Sequence, residues 1–363
     1  MKILLSYTEL QEVNKLLKTK ESNIAIADLL NEFCLTRDEN LYSLISEKTN
    51  ANLSKKEALL KYYLLYFGVD TSYKPNKVLI DTYLKDCIKI LNDKEFVENP
   101  YNLTVKPNSF SKNEYKLTYE EYPVNSVFPL DDISTQNDNY YLEKTYLGSF
   151  EKEYKYLTLF KNDEIWMCIT PNEINTMKKA ISSAHGNVVT YGLGLGYFAF
   201  MASNKSDVKS VTIIDNDKEL INMFLTYICP FFPNKNKITI INDDAINHFI
   251  KHKNEFDYTF VDLWHNAEDG LPIYIEFIKN QKMRNNIDYW IENSLIALYR
   301  RCILTVVEES LNGAKDSMYR KYKNSTDKII NEIYFKTKNL EIKKSSDLYA
   351  LLSDDSIKNL IKN

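Results

Sequence analysis

Three of the chain's eight glycines, Gly192, Gly194 and Gly196, fall within five residues, directly after the run Val188-Val189-Thr190-Tyr191. A strand that enters a tight glycine turn and leaves it as a helix lets a nucleoside-bearing ligand lie against bare backbone, where a side chain would collide with it. Three further runs end in acids. Val211-Thr212-Ile213-Ile214 is closed by Asp215, Ile238 to Ile241 leads into Asn242-Asp243-Asp244-Ala245, and Phe260-Val261 leads into Asp262-Leu263-Trp264-His265. Loops at the carboxyl ends of parallel strands converge on one crevice. There Asp262 can orient an acceptor, and the imidazole of His265, with an ordinary pKa of about 6.5, suits removal of its proton. Each acid also has a structural use. Asp215 and Asp244 stand where helix caps are needed, and Asp217 where a first-turn acid meets the helix dipole.

The elements that must position these residues are legible in the periodicity. From Pro171 onward strands are expected at 187–191, 210–214, 237–241 and 256–261, with a fifth at 287–292. Helices are expected near 197–203, 218–227 and 245–251, and this alternation is that of βαβ units on a parallel sheet. Ahead of it, Tyr154 to Phe160 and Ile165 to Ile169 flank Lys161-Asn162-Asp163-Glu164 as a hairpin. From Thr8 to about Leu91 the spacing is helical, with capping boxes at Thr8/Gln11 and Ser54/Glu57 and a stop at Gly68. Four regions are expected: helices over 1–98, a small β-rich unit over 99–170, a nucleotide-binding domain over 171–312, and a helical extension over 313–363.

Composition narrows the function. A formal charge of -4 gives no global attraction to nucleic acid or anionic lipid, and no run approaches a membrane helix. The five scattered cysteines have no C-x-x-C and read as reduced thiols in a cytoplasmic protein. His248 and His252 share a helix face without a third metal ligand, so no metal is expected. The basic, tyrosine-bearing stretch Lys315 to Lys344 is weighed as a nucleic-acid surface and reads better as the wet face of a helix. Homo-oligomerisation is left open.

The G-x-G-x-G spacing is that of S-adenosylmethionine sites, whereas a dinucleotide site would want glycine at Tyr197. Over about 85 residues, Gly186 to Gly270, the chain resembles the class I S-adenosylmethionine-dependent methyltransferase superfamily, and within it the spermidine-synthase-like branch. The resemblance implies an α/β fold with a Rossmann-like, doubly wound, mostly parallel sheet, preceded by an α-helical region and a small β-rich unit. It implies S-adenosylmethionine as cofactor, held by Gly192, Gly194 and Gly196, with Asp215 on the ribose hydroxyls and Asp244 and Ala245 at the adenine. Asp262 and Trp264 would lie beside the sulfonium, and Asp262 and His265 would be catalytic. Methyl transfer to a small-molecule or polyamine-like acceptor is the first expectation. The branch carries an aspartate at the position of Leu195 and a second one after Asp262, both missing here, so aminopropyl transfer is the alternative. A non-catalytic nucleotide-binding or regulatory protein of the same fold is the third reading. Thr190 stands where an acid is usual, and the superfamily's closing antiparallel strand pair is not legible.

Overall fold

The computed structural model describes residues 1–51, 53–252, 254–281, 286–313 and 324–362, a mixed α/β protein with several sheets, some of them parallel. Helix α1 (Tyr7–Leu35) is capped by Ser6, not Thr8, the Ser6 hydroxyl accepting the Glu9 N–H at 3.4 Å. It buries Val13, Leu16, Ile26, Leu30 and Phe33 at helical spacing. Lys20 and Asn23 interrupt that stripe and are matched. Lys20 pairs with Glu308 at 2.5 Å, and Asn23 accepts the Tyr83 hydroxyl and donates to the Tyr141 carbonyl. The helix thereby joins two apolar clusters, Val13 and Leu16 entering the larger and Ile26, Leu30 and Phe33 the smaller.

The Ser54/Glu57 capping box starts the helix Lys55–Tyr66, and Gly68 follows it in a left-handed conformation. The helical reading fails at Ile88–Leu91. This segment is a strand, parallel to Leu147–Phe150 and buried at Ile88 but exposed at Lys89, an alternation the flanking helices hide.

Four antiparallel strands follow: β1 (Phe110–Lys112), β2 (Tyr115–Tyr122), β3 (Tyr154–Lys161) and β4 (Glu164–Cys168), in the order β4-β3-β2-β1. Between β3 and β4, Asn162 (φ 54°) and Asp163 (φ 63°) form a two-residue turn with both centres left-handed, which suits the strands' twist. A short helix, α2 (Pro171–Thr176), leads to the main sheet.

That sheet comprises β5 (Gly186–Tyr191), β6 (Val208–Asp215), β7 (Ile238–Asn242), β8 (Tyr258–Val261) and β9 (Ile287–Tyr289). All neighbours are parallel, in the order β7-β6-β5-β8-β9. β8 is buried along its whole length, as a parallel strand covered on both faces should be. The connecting helices are α3 (Tyr197–Ser203), α4 (Lys218–Tyr227), α5 (Ala245–His252) and α6 (Ala267–Asn280). The chain builds outward from β5 to β7 and then returns to β8 on the other side of β5. This reversal opens a crevice at the strands' carboxyl ends.

After β9 comes α7 (Glu292–Leu311). Among the described residues no antiparallel pair closes the sheet. Three helices follow, over Ser325–Thr337, Ser345–Leu351 and Asp354–Lys362; the first and third pack against α6 and α7, and Arg300 of α7 donates to the Leu352 carbonyl and to Asp354. Residues 315–323 of the basic stretch lie outside the described residues. In its remainder, Tyr334 is buried and Phe335 half-exposed. Among the described residues no helix is long and apolar enough to cross a membrane.

Candidate functional site

The turn after β5 is shaped by what surrounds it. Gly192 (φ 101°) donates to the Ile214 carbonyl at 2.9 Å, and a Cβ there would lie 1.9 Å from the Asp262 carbonyl oxygen. Only glycine lets the turn after β5 approach the segment after β8 so closely. Gly194 differs. It too is left-handed (φ 54°), but a Cβ on it would meet nothing nearer than the Gly196 nitrogen at 4.0 Å. It lines a cavity of about 530 Å³ at the strands' carboxyl ends, so its missing side chain leaves bare backbone toward that space.

Asp215 ends β6 and lines the same cavity. One carboxylate oxygen accepts the Leu193 N–H at 3.0 Å and the other the Asp217 N–H at 2.8 Å. Each oxygen keeps a second acceptor site. Burial raises the Asp215 carboxyl above its ordinary range, against the pull of those two N–H donors.

Asp217 is the N-cap of α4, accepting the Glu219 and Leu220 N–H groups at 3.0 Å each. The register of β2 and β3 sets Tyr115 opposite Lys161, and both reach its second oxygen, Lys161 at 2.8 Å. Burial works to raise the Asp217 carboxyl, but Lys161 and Tyr115 outweigh it and hold it at about 2. The native pair therefore stabilises the protein at neutral pH, and this is lost as acid takes the pH from about 4 down through about 2. Lys161→Met is expected to return the Asp217 titration upward toward about 4, read by carboxyl-carbon NMR. A titration that stays near 2 would show that the lysine does not set it.

Asp262, Leu263, Trp264 and His265 follow β8 and all line the cavity. The His265 Nδ1 lies 3.0 Å from Asp269, which also accepts the Asn266 N–H in a capping box at the start of α6, and the imidazole meets the Trp166 ring edge-on at 4.5 Å. Trp264 is 5% exposed, its ring lies against Gly270, and its Nε1 has no hydrogen-bond partner among the described residues.

The structure thus gathers Gly192, Gly194, Gly196, Asp215, Asp262, Trp264 and His265 around one space. Asp244 and Ala245 stand outside this lining. Asp244 caps α5, its carboxylate accepting the Asn247 N–H at 2.8 Å, and Ala245 is the first residue of that helix. His248 is buried beside the Tyr191 hydroxyl.

Sequence reasoning did not reach the opposite wall, which comes from β3, β4, α2 and the segment after β9: Lys161, Trp166, Cys168, Glu173 and Trp290. One signal was available, since the chain's only three tryptophans all belong to this lining. Burial pushes the Cys168 thiol up to about 12, which disfavours its thiolate.

No protein-family model matches the chain, and no curated protein matches it either.

Proposed function

We propose that this chain is an S-adenosylmethionine-dependent transferase whose parallel sheet is of the Rossmann-like, doubly wound, class I methyltransferase type. The observation that carries the reading is the convergence of a bare glycine backbone at Gly194, the Asp215 carboxylate and the Asp262–His265 segment on one cavity where the strand order reverses. Two features support a fit to an adenosyl ligand. Gly194 leaves unfilled the space a side chain would otherwise take. The cavity volume also lies within the ~300–1,000 Å³ usual for small-molecule sites.

When bound, such a donor supplies an electrophilic carbon on a positively charged sulfur. The residues' part is mainly placement. Asp215 accepts from ribose hydroxyls through its two remaining sites, the 192–196 backbone leaves room for the nucleoside, and the tryptophans exclude water. Asp262 orients the acceptor, and His265, held by Asp269, takes its proton.

A second reading is favoured by the charge of the lining. It holds Glu173, Asp215, Asp217 and Asp262 but a single lysine, Lys161, already paired with Asp217. Among the described residues of the lining no free cation awaits a donor's α-carboxylate, which suits decarboxylated S-adenosylmethionine and aminopropyl transfer to a polyamine. Against it, the buried Leu195 replaces an acid of the spermidine-synthase-like pattern.

Calorimetric titration with S-adenosylmethionine, S-adenosylhomocysteine, the decarboxylated donor and NAD tests the reading. Adenosyl sulfur compounds are expected to bind, and Asp215→Ala to weaken them at least about tenfold through loss of charge-assisted hydrogen bonds. Binding of NAD alone, or of none of the four, would overturn it. Tight binding without turnover on any acceptor would mark the non-catalytic alternative.

A further inference from the structure

The two larger sheets end in four edge strands, and three of these are blunted. β1 is three residues long and ends in Lys112, the register of β4 breaks between Ile165 and Met167, and β9 is three residues long and carries Asp288. Short length, charge and broken register are what keep an open edge from pairing with another chain. β7 has none of them. Its five residues, Ile238-Thr239-Ile240-Ile241-Asn242, hold no charge and no proline, and they match β6 without a bulge. Among the described residues its other side is unpaired. Ile238 and Ile240 pack against the core, while on the opposite face Thr239 and Ile241 are exposed, Ile241 to 38%.

The charges at the two ends of the strand decide which partner suits it. Lys235 and Lys237 precede it, and Asp243 and Asp244 follow it. Lys237 donates to the Lys205 and Val208 carbonyls and Asp243 accepts the Asp244 N–H, but Lys235 and Asp244 are exposed. A second copy laid parallel along the edge would set lysine against lysine and acid against acid. Laid antiparallel, it sets the lysine end of each copy against the acidic end of the other. Opposite charges across a strand pair stabilise it, and like charges oppose it.

We propose that the free edge of β7 is an interface for a second copy of this chain, paired antiparallel about a two-fold axis at Ile240, so that the two parallel sheets continue as one. A two-fold interface uses the same patch on both copies, so each favourable contact forms twice. With Ile240 opposite Ile240 of the second copy, Thr239 stands opposite Ile241, which covers both exposed side chains. Asn236 then stands opposite Asp244, and Lys235 is its neighbour. A strand from an unrelated chain would meet the same backbone groups but lacks this matched pair of charged ends. The inference is independent of the adenosyl reading.

The test is the mass of the full chain in solution, by sedimentation equilibrium over protein concentrations of about 1–100 µM, where association follows mass action. Wild type is expected to rise from 42.6 kDa toward twice that value. Ile241→Lys should raise the dissociation constant about tenfold or more, because it sets a charge on the covered face twice. Lys235→Glu and Asp244→Lys should each weaken the dimer about threefold or more, since each sets like charges together. An equimolar mixture of the two should pair as wild type does, because glutamate then meets lysine at one end and aspartate meets lysine at the other. A monomer at every concentration overturns the proposal, as does a dimer indifferent to Ile241→Lys or a mixture that pairs no better than either variant alone. Should Asp244→Lys, which loses the α5 cap, fail to fold, amide hydrogen exchange of wild type decides: protection at 238–242 that grows with concentration supports the interface, and protection growing only elsewhere overturns it.

Discussion

Gly194→Leu is expected to lower the affinity for adenosyl sulfur ligands at least about 100-fold, a loss of about 2.7 kcal/mol or more. The protein should remain folded. A Cβ at this position has no neighbour nearer than 4.0 Å, so the side chain starts without a clash and is expected to take up space in the cavity. The only folding cost is the left-handed backbone, about 1–2 kcal/mol for a residue with a Cβ, or a few degrees of melting temperature. Gly194→Asn separates the two effects, because asparagine tolerates this conformation while still filling the space. Binding is measured by calorimetry and folding by thermal melting. Unchanged affinity in both variants would mean that the ligand does not lie against this loop.

Gly192→Ala acts on the fold itself. Its methyl group would stand 1.9 Å from the Asp262 carbonyl oxygen, and neither partner is free to retreat. The Asp262 N–H donates to the Tyr191 carbonyl at 2.9 Å, and Gly192 is held to the Ile214 carbonyl at 2.9 Å. Relief requires opening the carboxyl ends of β5 and β8, where ladder bonds and the buried Tyr191 and Val261 hold the sheet together. A cost of more than about 4 kcal/mol is expected, in the range reserved for core disruption. Denaturant unfolding measures it. An alanine variant of near wild-type stability would show that the close approach is not rigid and that glycine is needed here for another reason.

Local chemistry made much of the framework legible. Asn162 and Asp163 adopt the left-handed turn their types favour, and Ser54 and Glu57 make their box. Strands rich in β-branched residues appear within two residues of their expected bounds at β5 to β8, and α3 and α4 match their expected spans. These outcomes depend on interactions between residues close in sequence. Ile88–Leu91 shows where that fails, because a four-residue strand is stabilised by a partner about 60 residues away and carries little periodicity of its own.

The candidate site divides in the same way. Sequence by itself determined the glycine turn, the acids at strand ends and the aromatic segment after β8, since each is a consequence of local backbone geometry. Only tertiary structure decided which acids face the cavity. Asp215 and Asp262 do, whereas Asp244 turns to the Asn247 N–H of its own helix, two outcomes open to any aspartate at a strand end. Glu173 makes the opposite choice, leaving its cap half-formed, and Lys161 meets Asp217 only because the antiparallel sheet brings the end of β3 to the start of α4. A carboxylate's partner is set by which donor or charge the rest of the chain brings within about 3 Å, and that distance is fixed by packing between segments far apart in sequence.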